Sequence, residues 1–176
     1  MSASSKILIL VLLMICSSFA QPLTTVDRAK LVAKNNPTTK FLCYEFVWRT
    51  ISKDLAILDD MAIRLNTSNL VKIEEQVRKG NPKTKGVQEA LVKRGRGIII
   101  HENDVQAGDM VQYWYKDTET FFGHCAIVES VDREYIYLIS STIYAGVTGR
   151  YLDNLQSYDI IKRGDRHVRA YYVRLK

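Results

Sequence analysis

The hydrophobic positions change their period once along the chain. From residue 26 to about residue 95 they recur every three or four residues, as on helices with one buried stripe. Val26 to Asn35 predicts a short helix that stops at Asn35-Asn36-Pro37. Phe41, Leu42, Phe46, Val47, Ile51, Leu55, Leu58 and Ala62 predict a longer one from about Lys40 to Leu65, with Thr38 and Thr39 as its N-caps. Ser68 caps a third helix, which carries Leu70, Val71, Ile73 and Val77 and ends near Gly80. Thr84 caps a fourth, ending at Gly95.

After Gly97 the period falls to two. Strands are predicted at Ile98 to Ile100, Met110 to Tyr115, His124 to Val131, Tyr135 to Ser141, Val147 to Leu152 and His167 to Leu175. Gly108-Asp109 turns the chain into the second strand, and Asp132-Arg133-Glu134 links the third tightly to the fourth. In the last strand Tyr171, Val173 and Leu175 share one face, with Val168, Ala170 and Tyr172 on the other. Helices first and hairpin-linked strands second predict an α+β architecture, with N-terminal helices packed on an antiparallel β-sheet.

The first twenty residues fall outside this pattern. Ile7 to Ile15 is an unbroken apolar run behind Lys6, followed by Ser18-Phe19-Ala20. This is the layout of a signal peptide cleaved between Ala20 and Gln21, and the run is short for a bilayer span. The expectation is a leader over 1–20 and one domain over 21–176, secreted or periplasmic, with no membrane span after cleavage. A retained anchor is the alternative. Ile15 directly before Cys16 argues against a lipidated cysteine.

Composition excludes several classes. At 47% hydrophobic residues, with 9 Gly and 3 Pro, the chain is neither disordered nor of low complexity. Its 25 Lys and Arg against 19 Asp and Glu give +6, which falls to +5 when Lys6 leaves with the leader. The excess suits an anionic partner such as a cell-wall polymer. It is spread along the chain without a nucleic-acid motif, so no nucleic-acid partner is expected.

Of the 3 cysteines, Cys43 and Cys125 remain after cleavage. An exported chain with two cysteines suggests one disulfide; their surroundings suggest something else. Cys43 falls in the first turn of the long predicted helix, where unpaired N–H groups and the helix dipole favour a thiolate. A buried structural cysteine is the competing reading. His124 follows Gly123 and opens a strand, a place for a general base or an imidazolium partner. The pair becomes adjacent only through folding. If His124 faces the Cys43 helix, strand alternation turns Cys125 away from it, so Cys125 is expected to be a small core residue. His101 and His167 have no spacing that makes a zinc site, and no metal or cofactor is expected. Tyr113, Trp114 and Tyr115 belong to the core and sheet surface, with Tyr113 or Tyr115 the candidate to reach the cleft.

Three stretches then carry a resemblance. Cys43-Tyr44-Glu45-Phe46-Val47, Val105-Gln106-Ala107-Gly108-Asp109-Met110-Val111-Gln112-Tyr113 and Gly123-His124-Cys125-Ala126-Ile127-Val128 resemble, in that order, the helix-opening cysteine, the Gly-Asp strand and the Gly-His strand of the NlpC/P60 superfamily of papain-like cysteine peptidases. The likeness covers about residues 26–155. It implies the papain-like fold and a cysteine peptidase or amidase acting on peptide or amide bonds, most characteristically in peptidoglycan stem peptides. Cys43 would be the nucleophile and His124 the base. A polar residue on the next strand, Ser140 or else Ser141, would orient the imidazole where the family usually has His, Asn, Gln or Asp. Leu42 and Tyr44 replace the Asp and Ser that often flank the family's cysteine. Two alternatives stand beside this reading: a secreted binding domain on the same scaffold without catalysis, and an acyltransferase or amidase toxin. The related lipid acyltransferases, however, carry their His before their Cys.

Overall fold

The computed structural model describes residues 22–35, 43–51, 70–116, 118, 121–142, 147–149 and 160–176. The expected leader, the caps at Thr38, Thr39 and Ser68, residues 40–42 and 52–65 of the long helix, and residues 150–152 of the fifth expected strand lie outside the described residues.

Helix α1 (Thr25–Asn35) begins one residue before the expected start. Its start is a capping box: the Asp27 N–H donates to Thr24 Oγ1 at 3.1 Å while the Thr24 N–H donates to Asp27 Oδ2 at 3.1 Å. Helix α2 (Cys43–Ile51) buries Phe46, Val47 and Ile51 completely. Helix α3 (Leu70–Arg78) puts Ile73 and Val77 against Trp114. Helix α4 (Val87–Lys93) differs from expectation at its start. Thr84 lies inside a 3-10 turn, Pro82–Lys85, that Asn81 caps through Lys83 N at 3.0 Å, and Gly86 precedes α4. The hydroxyl of Thr84 donates to Asn81 O instead, at 2.7 Å. Proline at the first position of the turn favours Asn81 as the cap, because the ring has no N–H to satisfy.

The strands are β1 (Gly97–Ile100), β2 (Met110–Lys116), β3 (Phe121–Val131), β4 (Tyr135–Thr142), β5 (Val147–Gly149), β6 (Ile160–Lys162) and β7 (Val168–Leu175). They form an antiparallel sheet in the order β1-β7-β2-β3-β4-β5, with β6 paired to β4. The fold is therefore mixed helix and antiparallel sheet, as the change of period predicts. Strand β3 starts three residues earlier than expected, because Phe121 stacks on Trp114 at 5.5 Å and extends the hairpin. Strand β6 was not expected; three residues are too few to establish a period.

The sheet is buried on both faces. Met110, Cys125, Ile127, Ile139 and Val173 pack under α1, α2 and α4. Val111, Tyr113, Ala126, Val128, Leu138 and Tyr172 form the opposite cluster. The expected alternation of β7 holds: Val173 and Leu175 join the helix-side cluster, while Val168, Ala170 and Tyr172 join the other.

The Gly108-Asp109 turn has a structural function. The Gly108 N–H donates to Val128 O at 2.8 Å, and Val128 N–H returns to Asp109 O at 2.7 Å, locking the start of β2 to β3. The Asp109 carboxylate is buried and takes a two-pronged bond from Arg174 of β7, at 2.7 and 2.9 Å, plus the Gln106 N–H at 2.9 Å. Arg174 is 29% exposed and Asp109 only 1%, so the two sides of the pair are unequal. Arg174→Met strands a buried carboxylate and should lower stability by roughly 3 kcal/mol. Asp109→Asn keeps an acceptor for Gln106 and lets Arg174 turn to water, so it should cost less. Denaturant midpoints of the two variants test that order.

Candidate active site

Cys43 is the first described residue of α2, the helix in whose first turn the hydrophobic spacing places it. The burial of Phe46, Val47 and Ile51 presses that end of the helix against the sheet, and Cys43 itself packs, partly buried, on the cluster that contains Cys125.

The faces of β3 are the reverse of the expectation. Cys125 pairs with Gln112 and lies on the helix side with Ile127, at 3% exposure. His124 pairs with Tyr113 and shares that residue's face, the two rings meeting edge-on at 5.8 Å and 74°. The expectation that Cys125 turns away from Cys43 is therefore corrected. His124 nevertheless reaches Cys43, and the sheet topology explains how. The ladder between β3 and β4 runs from Ile127 to Val131, and β4 then leaves to pair Ser140, Ser141 and Thr142 with β5. The edge of β3 at 124–126 is thereby left to the start of α2. Cys43 takes hydrogen bonds there from the Cys125 side chain, the His124 side chain and the Cys125 backbone N–H.

These contacts set the charge state. The Cys43 thiol is held well below the usual thiol range, first by the hydrogen bond from Cys125, then against burial by the charge and hydrogen bond of His124 and the Cys125 N–H. Cys125 is pushed well above that range by its hydrogen bond to Cys43, by burial and by the negative charge it faces. Cys43 thus favours the anion and Cys125 the neutral thiol, and neither is in a disulfide.

Gly123 lies beside His124 within β3, paired with Trp114. A Cβ there would overlap the six-membered ring of Trp114. That ring is fixed by its stack on Phe121 and by Nε1–H donating to Thr84 O at 2.7 Å. Ser140 is fully buried and stands two residues after Leu138, on the face His124 occupies. The side chain of Ser141 lies outside what is described; its backbone pairs with Thr148. Tyr113 is the aromatic residue that meets His124, whereas Tyr115 packs on Phe122 at 5.4 Å. His101 and His167 are exposed, His167 Nδ1 lying 2.9 Å from Lys116 O. Among the described residues no group of three or more His, Cys, Asp or Glu side chains could hold a metal ion, and no helix is long and apolar enough to cross a membrane.

Sequence reasoning missed Cys125 as a partner of the thiolate. Residues 125–128 are apolar on both faces, so alternation alone gives no orientation. Compared with known proteins, the chain matches no family model, no curated protein and no solved structure.

Alkylation of Cys43 by iodoacetamide should stay fast as pH falls below about 8.5, the range in which an ordinary thiol loses its thiolate. His124→Ala and Cys125→Ala should each move that profile to higher pH, since each removes a group that favours the anion; mass spectrometry of the labelled peptide reads this directly. Gly123→Ala should displace Trp114 and lower stability by about 1–3 kcal/mol, seen as a lower Tm with a shifted tryptophan emission.

Proposed function

We propose that this protein is an exported cysteine hydrolase of the papain-like NlpC/P60 type, acting on peptide or amide bonds and most characteristically on peptidoglycan stem peptides. The observation that carries the reading is Cys43, the first described residue of α2, in contact with His124 and Cys125, which favour its anion. Export rests on the apolar run of Ile7 to Ile15 and the small residues before Gln21, and the wall substrate on the basic excess and the sequence resemblance.

In this mechanism the Cys43 sulfur attacks the carbonyl carbon. Backbone N–H groups at the start of α2 face the oxygen as it gains charge, which they stabilise most strongly in the transition state. His124 gives its proton to the departing amine. It then takes a proton from water, which attacks the thioester, releases the acid and restores the thiolate. Ser140 is the positioning residue for the imidazole, a role supported by its burial on the face that His124 shares. A hydroxyl accepts an N–H less strongly than a carboxylate does, so this orientation relies also on the edge of the Tyr113 ring.

Purified peptidoglycan incubated with the protein should release new free amino groups. Cys43→Ala should lower that rate by at least about a thousandfold, and His124→Ala comparably, because a nucleophile and its base act as one unit. Circular dichroism should show both variants folded. Undiminished release by folded Cys43→Ala would end the reading.

A further inference from the structure

The mechanism above uses one thiol of a contacting pair. Cys125 is buried on the face that packs under α2, in the same cluster as Cys43, and its side chain hydrogen-bonds the Cys43 sulfur. Cys43 is partly open and Cys125 is closed off, so a small oxidant meets Cys43 first. The two sulfurs differ in surroundings as well as in access: those of Cys43 favour the anion, those of Cys125 the neutral thiol. This is the arrangement of an attacking and a resolving cysteine.

We propose that Cys125 is the resolving thiol of Cys43, and that the two form a reversible disulfide which switches the nucleophile off under oxidation by a peroxide. The switching part rests on the hydrolase reading; the disulfide itself does not. The Cys43 thiolate attacks one oxygen of hydrogen peroxide, the O–O bond breaks, and hydroxide leaves to take a proton and become water. Cys43 is now a sulfenic acid, oxidised by two electrons as the peroxide is reduced. The Cys125 sulfur then attacks the Cys43 sulfur, its proton passing to the departing hydroxyl, which leaves as a second water. Two thiols and one peroxide become one disulfide and two waters. A reducing dithiol reverses the change by exchange.

The second cysteine also protects the first. Without a resolving thiol, a sulfenic acid in excess peroxide proceeds to sulfinic and sulfonic acids, which ordinary thiols do not reduce. With Cys125 in contact, the sulfenic acid is consumed before a second peroxide arrives.

The test treats the full chain with one equivalent of hydrogen peroxide and reads intact mass, free thiols and linked peptides. The expected result is loss of two hydrogen atoms, a peptide joining residues 43 and 125, and recovery of both thiols and of hydrolysis with dithiothreitol. Peptide mapping separates this link from any that involves Cys16. Cys125→Ser keeps a hydroxyl donor to the thiolate but cannot form the bond. In that variant excess peroxide should carry Cys43 on to the sulfinic and sulfonic acids, a gain of oxygen that dithiothreitol does not reverse. Wild-type protein that accumulates oxygenated Cys43 as fast as Cys125→Ser overturns the proposal. Because mass and thiol counts do not depend on turnover, the two readings fail separately. A 43–125 link in a protein whose Cys43→Ala variant still hydrolyses leaves the disulfide and ends the hydrolase. Cysteine-dependent hydrolysis without the link does the reverse.

Discussion

Phe46, Val47 and Ile51 of α2 are wholly buried against the sheet, and the chemistry at the head of that helix depends on their burial. Each such side chain contributes roughly 1.5–3 kcal/mol when fully removed from water. That is enough to hold the helix at one position on the sheet. The first residue of the helix is then carried to the edge of β3 with no freedom to withdraw, and that residue is Cys43. A thiolate left in water would gain little from a distant imidazole. Pinned at a helix start against a strand edge, it meets three donors at short range.

The strand edge is available because the sheet divides there. Beyond Ile139, β4 gives up β3 and pairs with β5. A continuous ladder would have spent the Cys125 N–H on β4. The division turns an ordinary backbone donor into part of an anion site and lets His124 act on a sulfur from the far face of its own strand. On that face Tyr113, itself 2% exposed, packs against the imidazole edge and limits its motion. On the near face Trp114 fills the space above Gly123, which explains a glycine before the histidine without appeal to substrate.

Order in the remainder of the sheet comes from fewer, stronger ties. Asp109 and Arg174 join the start of β2 to the end of β7, although 65 positions separate them in the chain. On the other flank Lys30 of α1 reaches the nearly buried Glu129 at 3.2 Å, beside the point where the β3–β4 register shifts. These contacts set strand register, and through register they decide which residue of β3 faces which layer.

Much of this was legible from residue order. The three- and four-residue spacing of Phe46, Val47 and Ile51 marks a buried helix face, the alternation of Tyr171, Val173 and Leu175 with Val168, Ala170 and Tyr172 assigns both faces of β7, and a cysteine opening such a helix marks a polarised sulfur. These are local properties, written in period and in helix ends. Which way His124 and Cys125 point was not local, because residues 125–128 are apolar on both faces and both faces are buried. Nor was the tie between Asp109 and Arg174, since an aspartate in a Gly-Asp turn looks the same whether it meets solvent or an arginine from the far end of the chain. Residue order alone places a cysteine in the first turn of a helix and a histidine in a strand of the following sheet. Only the tertiary structure decided that β4 parts from β3 beside them and that Cys125 joins the thiolate, because register and strand exit are set by packing between distant segments.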